Sequence, residues 1–270
     1  MNYKMPIREQ NSNKGTFGNV LNFCGSENYI GAAYLATVSS LKVGAGFSAL
    51  ATTQQVINSV SSLLPEAVYL TREQGLEQLN NFSVVLVGCG IGIVEESKKL
   101  FEDVLSQIDS DIPIIIDADG LNILSKMPVS ILKSNQRNAV ITPHPLEASR
   151  LLGVSLDYVL DNLEDTAKAL SVKYKCVVAL KTHRTIICNG KDIYVNQNGN
   201  SALAKAGSGD VLAGIIAGLL AQKMSVFEAT KLGVYLHSRA GEIASEDLTE
   251  YSVIASDIPR YLHRAIKELL

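Results

Sequence analysis

The sequence predicts an α/β fold, a mostly parallel sheet covered by helices on both faces. Three observations carry that expectation. Strand-like and helix-like segments alternate along most of the 270 residues. Two strand candidates, 84–88 and 113–116, are almost continuously apolar, the mark of strands buried on both faces. The last third, after Gly209, turns helical. No Pro/Gly/Ser linker, internal repeat or low-complexity tract divides the chain, so residues 1–270 read as one domain.

In chain order, residues 20–24 read as a strand and 29–42 as a helix with small residues over much of its surface. Residues 47–51 are strand-like, 54–64 helical, 67–70 a short strand and 72–81 a helix. The buried strand 84–88 runs into Gly88, Gly90 and Gly92. Residues 95–108 form an amphipathic helix, with Leu100, Val104, Leu105 and Ile108 at helical spacing. Strand 113–116 ends in Asp117-Ala118-Asp119-Gly120, and strand 139–142 in Pro143-His144-Pro145. Residues 161–174 are helical, and strand 176–180 ends at Lys181. Segments 185–188 and 192–196 flank Asn189-Gly190, a hairpin signal because that pair accepts positive φ. Helices follow at 211–222, 226–245 and 255–269.

Composition narrows the function classes. Hydrophobic residues make up 47% and charged residues 19%, ordinary for a globular protein. Lys and Arg number 24 against 27 Asp and Glu, a formal charge of −3. No stretch stacks more than two adjacent basic residues, which speaks against nucleic acid and for a small-molecule partner. Apolar runs such as 84–94 are far below the ~18 residues that span a bilayer. Residues 1–15 are polar without an apolar signal core, so neither a membrane nor secretion is expected. Cys24, Cys89, Cys176 and Cys188 show no C-x-x-C and no zinc spacing, and read as buried thiols of a reduced cytoplasmic protein. The four histidines are scattered, so no protein-built metal site is expected, although a nucleotide brings its own magnesium.

In open α/β sheets, ligands gather at the carboxyl ends of the strands. Four unusual turns would share that rim: 88–92, 117–120, 142–147 and 181–185. The segment Lys205-Ala206-Gly207-Ser208-Gly209-Asp210 is sharper, because it precedes the apolar helix from Val211. Small residues leave the first amides of that helix open, and the helix dipole adds positive potential. Ala206, Gly207, Ser208 and Gly209 therefore form a candidate anion hole. Asp210 at the helix start reads either as a cap or as a catalytic base; capping alone does not call for Gly-Ser-Gly before it. An anion hole beside a carboxylate suits phosphoryl transfer to a hydroxyl. The glycines are not followed by Lys-Ser/Thr, so this is not a Walker loop.

Together these motifs resemble the ribokinase-like superfamily, and within it the NAD(P)H-hydrate dehydratases. The resemblance spans Lys14-Gly15-Thr16-Phe17-Gly18, Gly25-Ser26, residues 29–33, Val43-Gly44-Ala45-Gly46 and the Gly88-Cys89-Gly90-Ile91-Gly92 turn. It continues through Asp117-Ala118-Asp119-Gly120-Leu121, Thr142-Pro143-His144-Pro145-Leu146-Glu147 and residues 200–212, the most specific piece. Two departures stand out: Cys89 replaces the usual proline, and Lys181-Thr182-His183 replaces the usual Lys-Gly.

The resemblance implies a three-layer α/β/α fold and an ADP-dependent hydro-lyase, with ATP as the alternative nucleotide and Mg2+ as its companion. Its substrate would be the S epimer of NAD(P)H hydrate, its cell address the cytoplasm and its assembly a homotetramer. No fused epimerase domain precedes this one, which implies a separate NAD(P)H-hydrate epimerase as pathway partner. Asp210 would be the base. Gly31, Ala32, Gly90 and His144 would line the hydrate pocket, with Glu147 and Arg150 nearby. Lys181, Thr182, His183, Arg184, Thr185 and Gly209 would contact the nucleotide. Asp119 either supports the site or merely forms a turn, and Asn122 shares the first role. Lys205 either neutralises phosphate or is a solvated charge. Two other classes remain open, a small-alcohol kinase acting on a thiazole or pyrimidine vitamin precursor, and an idle nucleotide-binding module.

Overall fold

The computed structural model describes residues 3–132 and 138–270. Among them, nine strands form one sheet: β1 (Asn19–Phe23), β2 (Phe47–Thr52), β3 (Val68–Thr71), β4 (Val84–Val87), β5 (Ile114–Ile116), β6 (Ala139–Ile141), β7 (Val177–Leu180), β8 (Ile186–Cys188) and β9 (Ile193–Val195). Their order is β3-β2-β1-β4-β5-β6-β7-β8-β9. Every pairing from β3 to β7 is parallel, and β7–β8 and β8–β9 are antiparallel. β4, β5 and β6 are short, largely β-branched and buried throughout, as central strands covered on both faces must be. The predicted hairpin is present: Asn189 Oδ1 accepts from the amides of Lys191 and Asp192, and Gly190 takes φ +87°.

The helices are α1 (Ile30–Lys42), α2 (Gln54–Val60), α3 (Arg72–Glu77), α4 (Glu95–Gln107), α5 (Asp119–Leu124), α6 (Pro145–Leu152), α7 (Leu156–Asp161), α8 (Leu163–Tyr174), α9 (Ser208–Ala221), α10 (Val226–Ser252) and α11 (Ile258–Lys267). They make two layers. Side chains alternate across each strand, so Val20, Leu86, Ile115 and Val140 meet α1, α9, α10 and α11, while Phe23, Val87, Ile116 and Ile141 meet α4, α5, α6 and α8. α9 is buried along nearly its whole length. It lies directly against α1: a Cβ on Gly214 would come within 2.2 Å of the Ala36 carbonyl oxygen, and one on Gly218 within 2.4 Å of that of Ser40. The small residues of α1 are therefore spent on this contact inside the molecule. No described helix is long and apolar enough to cross a membrane.

Several boundaries differ from the sequence expectation. The helix expected over 72–81 stops at Glu77 and continues as a 3-10 turn, Leu79–Asn81. α5, α6 and α7 occupy segments that read as turns or went unassigned. α8 starts at Leu163, because Asn162 sits at φ −135°. α10 extends to Ser252 across a left-handed Thr249, at φ 68°. α9 begins at Ser208, which places Asp210 inside its first turn.

Candidate active site

The carboxyl ends of β5, β6, β7 and β9 and the first turn of α9 surround a cavity of about 1000 Å³. β9 belongs to this rim because two antiparallel steps return it to the direction of β7. Gly207 caps α9 with φ +90°, a left-handed conformation that a side chain would strain. The Ser208 amide donates to the Lys205 carbonyl and the Val211 amide to that of Gly207. The Ser208 amide is thus taken up and not free for the anion hole expected over 206–209, whereas the Gly209 and Asp210 amides have no protein acceptor among the described residues. Ser208 Oγ shares a hydrogen bond with His237 Nε2 at 3.0 Å. Burial holds His237 down to about 4, so the ring is neutral at physiological pH.

Gly207, not Asp210, is the N-cap of α9, and Asp210 lies within the first turn. It lines the cavity, with its affinity for protons raised to about 6 by burial and by the neighbouring Asp117 carboxylate. The neighbouring Cys89 thiol and the Lys181 ammonium act in the opposite sense. A carboxylate tuned toward neutral pH in a cavity is suited to general-base work.

Lys181 Nζ lies 2.6 Å from Asp117 Oδ1 and 4.0 Å from Glu147 Oε2. Burial would lower this ammonium, but Asp117 and Glu147 reverse the effect and its net shift is upward. Glu147 is itself raised, first by burial. His144 caps α6: its Nδ1 accepts from the Leu146 and Glu147 amides at 3.1 and 3.3 Å, while Glu147 Oε2 accepts from the His144 amide at 2.8 Å. With Nδ1 accepting, a neutral ring carries its proton on Nε2, 3.4 Å from Glu147 Oε1. Burial and Lys181 lower the His144 pKa, consistent with that neutral form.

The structure thus brings His144, Lys181, Thr182, His183, Arg184, Thr185, Gly207, Ser208, Gly209 and Asp210 around one cavity. Gly31, Ala32 and Gly90 lie outside its lining, in a second patch. There a Cβ on Gly90 would sit 2.8 Å from Ala32 Cβ. α1 borders both regions, since its Leu35 packs against Gly207. Ala206 is exposed beside the cavity. Lys205 also lines it, but its ammonium donates to the Tyr251 carbonyl at 3.0 Å. Asn122 Oδ1 accepts from Arg150 at 2.7 Å, and Asp119 Oδ2 from the Gly92 amide at 2.9 Å. Thr182, where the family pattern has glycine, needs no left-handed backbone. Its hydroxyl instead donates to the Arg184 carbonyl at 2.7 Å and accepts from the Arg184 amide at 3.2 Å.

Sequence reasoning left Asp117, His237, Ser238 and the run Gln197-Asn198-Gly199 unassigned, although all line the cavity. The strand-end rule, applied to β9, would have found the last group. His237 and Ser238 carry no such signal, because α10 is brought to the cavity only by packing.

The family profile described as NAD(P)H-hydrate dehydratase matches residues 20–264. The chain belongs to the NAD(P)H-hydrate dehydratase family. It is 36% identical to the ADP-dependent (S)-NAD(P)H-hydrate dehydratase of Neisseria meningitidis, over 88% of this chain and 81% of that one. It is 34% identical to the bifunctional NAD(P)H-hydrate repair enzyme of Thermofilum pendens, covering 98% of this chain but 53% of that protein. The chain therefore spans about half the length of such bifunctional relatives. Among solved structures, the Bacillus subtilis ADP/ATP-dependent dehydratase, co-crystallised with ATP and Mg2+, superposes with a TM-score of 0.86 at 28% identity, covering 99% and 95% of the two chains. A ribokinase-like superfamily protein of Enterococcus faecalis gives 0.90 at 28% identity, covering 98% and 92%. The fold of this family member is thus the expected ribokinase-like three-layer α/β/α.

Proposed function

We propose that the protein dehydrates the S epimer of NADH or NADPH hydrate at the expense of ADP. Water added across the ring leaves a hydroxyl on C6, and hydroxide is a poor leaving group. Asp210 takes the proton from that hydroxyl as its oxygen attacks the β-phosphorus of ADP. The bond between that phosphorus and the bridging oxygen breaks, and AMP departs. Phosphate then leaves C6 while a proton leaves C5, which restores the ring double bond. The net change is hydrate plus ADP to NAD(P)H, AMP and phosphate.

The observation that carries this reading is the Asp210 carboxylate beside the open Gly209 and Asp210 amides, at the edge of a cavity wide enough for a nucleotide. Lys181 to Thr185 form the nucleotide wall, and Gly31, Ala32 and Gly90 receive the hydrate on the far side of the base. Asp117 Oδ2, which Lys181 leaves free, is a hard donor of the kind Mg2+ takes, so an ion carried by the nucleotide would fit beside it and would neutralise phosphate charge without engaging the base.

In this reading the enzyme works in the cytoplasm beside an NAD(P)H-hydrate epimerase. Leu146, Leu156, Tyr158 and Leu160 on α6 and α7 stay exposed and supply apolar surface for tetramer formation.

Incubation with ADP and NADH hydrate tests the assignment. Restored absorbance of the reduced nicotinamide, with AMP and free phosphate, is the expected result. A stable phosphorylated alcohol instead would make the protein a kinase.

A further inference from the structure

Cys89 stands at a junction that the proposed reaction does not use. It is fully buried, and its Sγ lies 3.8 Å from Asp117 Oδ2. The Asp210 carboxylate is its other acidic neighbour, with a ligand atom within 4.8 Å of the sulfur. Asp117 turns its other oxygen to Lys181, so Oδ2 is the one left for a second partner. One ligand atom from each of Cys89, Asp117 and Asp210 lies within 4.8 Å of the other two. The three residues come from separate elements: the loop after β4, the loop after β5 and the first turn of α9. The sheet rim, rather than one loop, holds them together. A second buried thiol, Cys24, follows the end of β1, and the amide of the next residue, Gly25, donates to the Cys89 carbonyl at 2.8 Å.

We propose that Cys89, Asp117 and Asp210 form a binding site for a thiophilic divalent cation of the zinc and cadmium class, and that the seated ion withdraws Asp210 from proton transfer. The binding half stands on the ligand set alone, and the inhibitory half rests on the reaction proposed above. Charge favours the site. One thiolate and two carboxylates carry three negative charges, which a divalent ion and the Lys181 ammonium balance. The ion displaces the Cys89 proton to solvent, and no electron moves. Bonds of about 2.3 Å to sulfur and about 2.0–2.2 Å to oxygen set ligand atoms roughly 3.3–3.8 Å apart. The Cys89–Asp117 separation already meets this, and side-chain rotation closes the rest. Asp117 and Asp210 line the cavity, which supplies the path of entry. Magnesium, which takes oxygen ligands, does not displace a thiol proton.

Cadmium titration of the reduced, full-length chain without nucleotide tests the site, read by cadmium–thiolate charge-transfer absorption and by calorimetry. One equivalent should bind. Cys89→Ser should lose the band and bind at least tenfold more weakly. Asp210→Asn should also weaken binding at least tenfold, while Cys176→Ser and Cys188→Ser should bind as wild type does. Failure of wild type to saturate at one equivalent, equal affinity in Cys89→Ser, or displacement by equimolar magnesium would overturn the site. In turnover, one bound equivalent of zinc should inhibit wild type at least tenfold, and Cys89→Ser far less, each against its own metal-free rate. Undiminished turnover with zinc bound would sink the inhibitory half. Absence of dehydration in the metal-free protein would refute the reaction and leave the cadmium result standing.

Discussion

The Lys181 ammonium and the Asp117 carboxylate meet at 2.6 Å directly over the first turn of α9. A Cβ on Gly209 would sit 3.2 Å from Lys181 Nζ and 3.7 Å from Asp117 Oδ2. Both charges therefore act on Asp210, in opposite senses. After burial, Asp117 is the larger influence and raises its proton affinity, while Lys181 lowers it. The pair tunes the base and also places a positive charge beside the open amides.

Asp210→Asn isolates the base. Turnover should fall by at least ~10²-fold while nucleotide affinity stays within about threefold. Stability should move the other way. The folded-state pKa of about 6 lies above the ordinary aspartate value of 3.8, so the carboxylate's cost to the fold is absent at low pH. It appears as pH rises from near 4 through 6. At pH 7 the amide should therefore stabilise the protein, by up to about 3 kcal/mol. Chemical denaturation of both proteins at pH 4 and pH 7 checks this. An equal difference at the two pH values would contradict the assigned environment.

Lys181→Met should show the tuning directly. In the free wild-type enzyme, kcat/KM should rise with pH through about 6 as Asp210 ionises. Without the ammonium, that limb should move to higher pH, because the influence that lowers the Asp210 pKa is gone. The variant should also lose about 3 kcal/mol of stability, since Asp117 is left buried and unpaired. A limb that stays in place would show that Lys181 serves nucleotide binding alone.

The parts of this arrangement were unequally legible. Asp210 and the glycines before it stood out because a small-residue lead into an apolar helix has a direct physical reading. β4 and β5 stood out because their residues are apolar without a break. α5 and α6 did not, since each is too short to show a helical period and opens on residues that read as turns. In α6 the apparent turn residues are the helix start itself, with His144 as cap and Pro145 in the first turn. The Lys181–Asp117 pair joins residues 64 positions apart, and only the sheet order brings them together. His237 likewise reaches Ser208 through the packing of α10 on α9, which no local pattern announces.

Thr182→Gly should separate binding from chemistry. The Thr182 hydroxyl ties the loop through two contacts with the Arg184 backbone. Glycine removes both and widens the conformations open to the free loop, at a cost of about 0.5–1 kcal/mol. Steady-state kinetics should give a several-fold higher KM for ADP, with kcat within about twofold. An unchanged KM would remove this loop from the nucleotide wall.

Gly214→Ala should test whether the α1–α9 contact holds the two halves of the site together. In an exposed helix, alanine for glycine would gain up to about 1 kcal/mol in propensity. Here the new methyl would meet the Ala36 carbonyl oxygen at 2.2 Å, and that atom belongs to the backbone of α1. The helices must separate, at a typical overpacking cost of 1–3 kcal/mol, which outweighs the propensity gain. The melting temperature should fall by a few degrees. α9 carries Asp210 and α1 carries Gly31 and Ala32, so the same displacement should raise the KM for the hydrate more than that for ADP. Thermal denaturation and two-substrate kinetics measure both effects. An unshifted melting temperature would mean that α1 yields without strain. Equal rises in the two KM values would mean that the Gly31–Ala32 patch does not bind the hydrate.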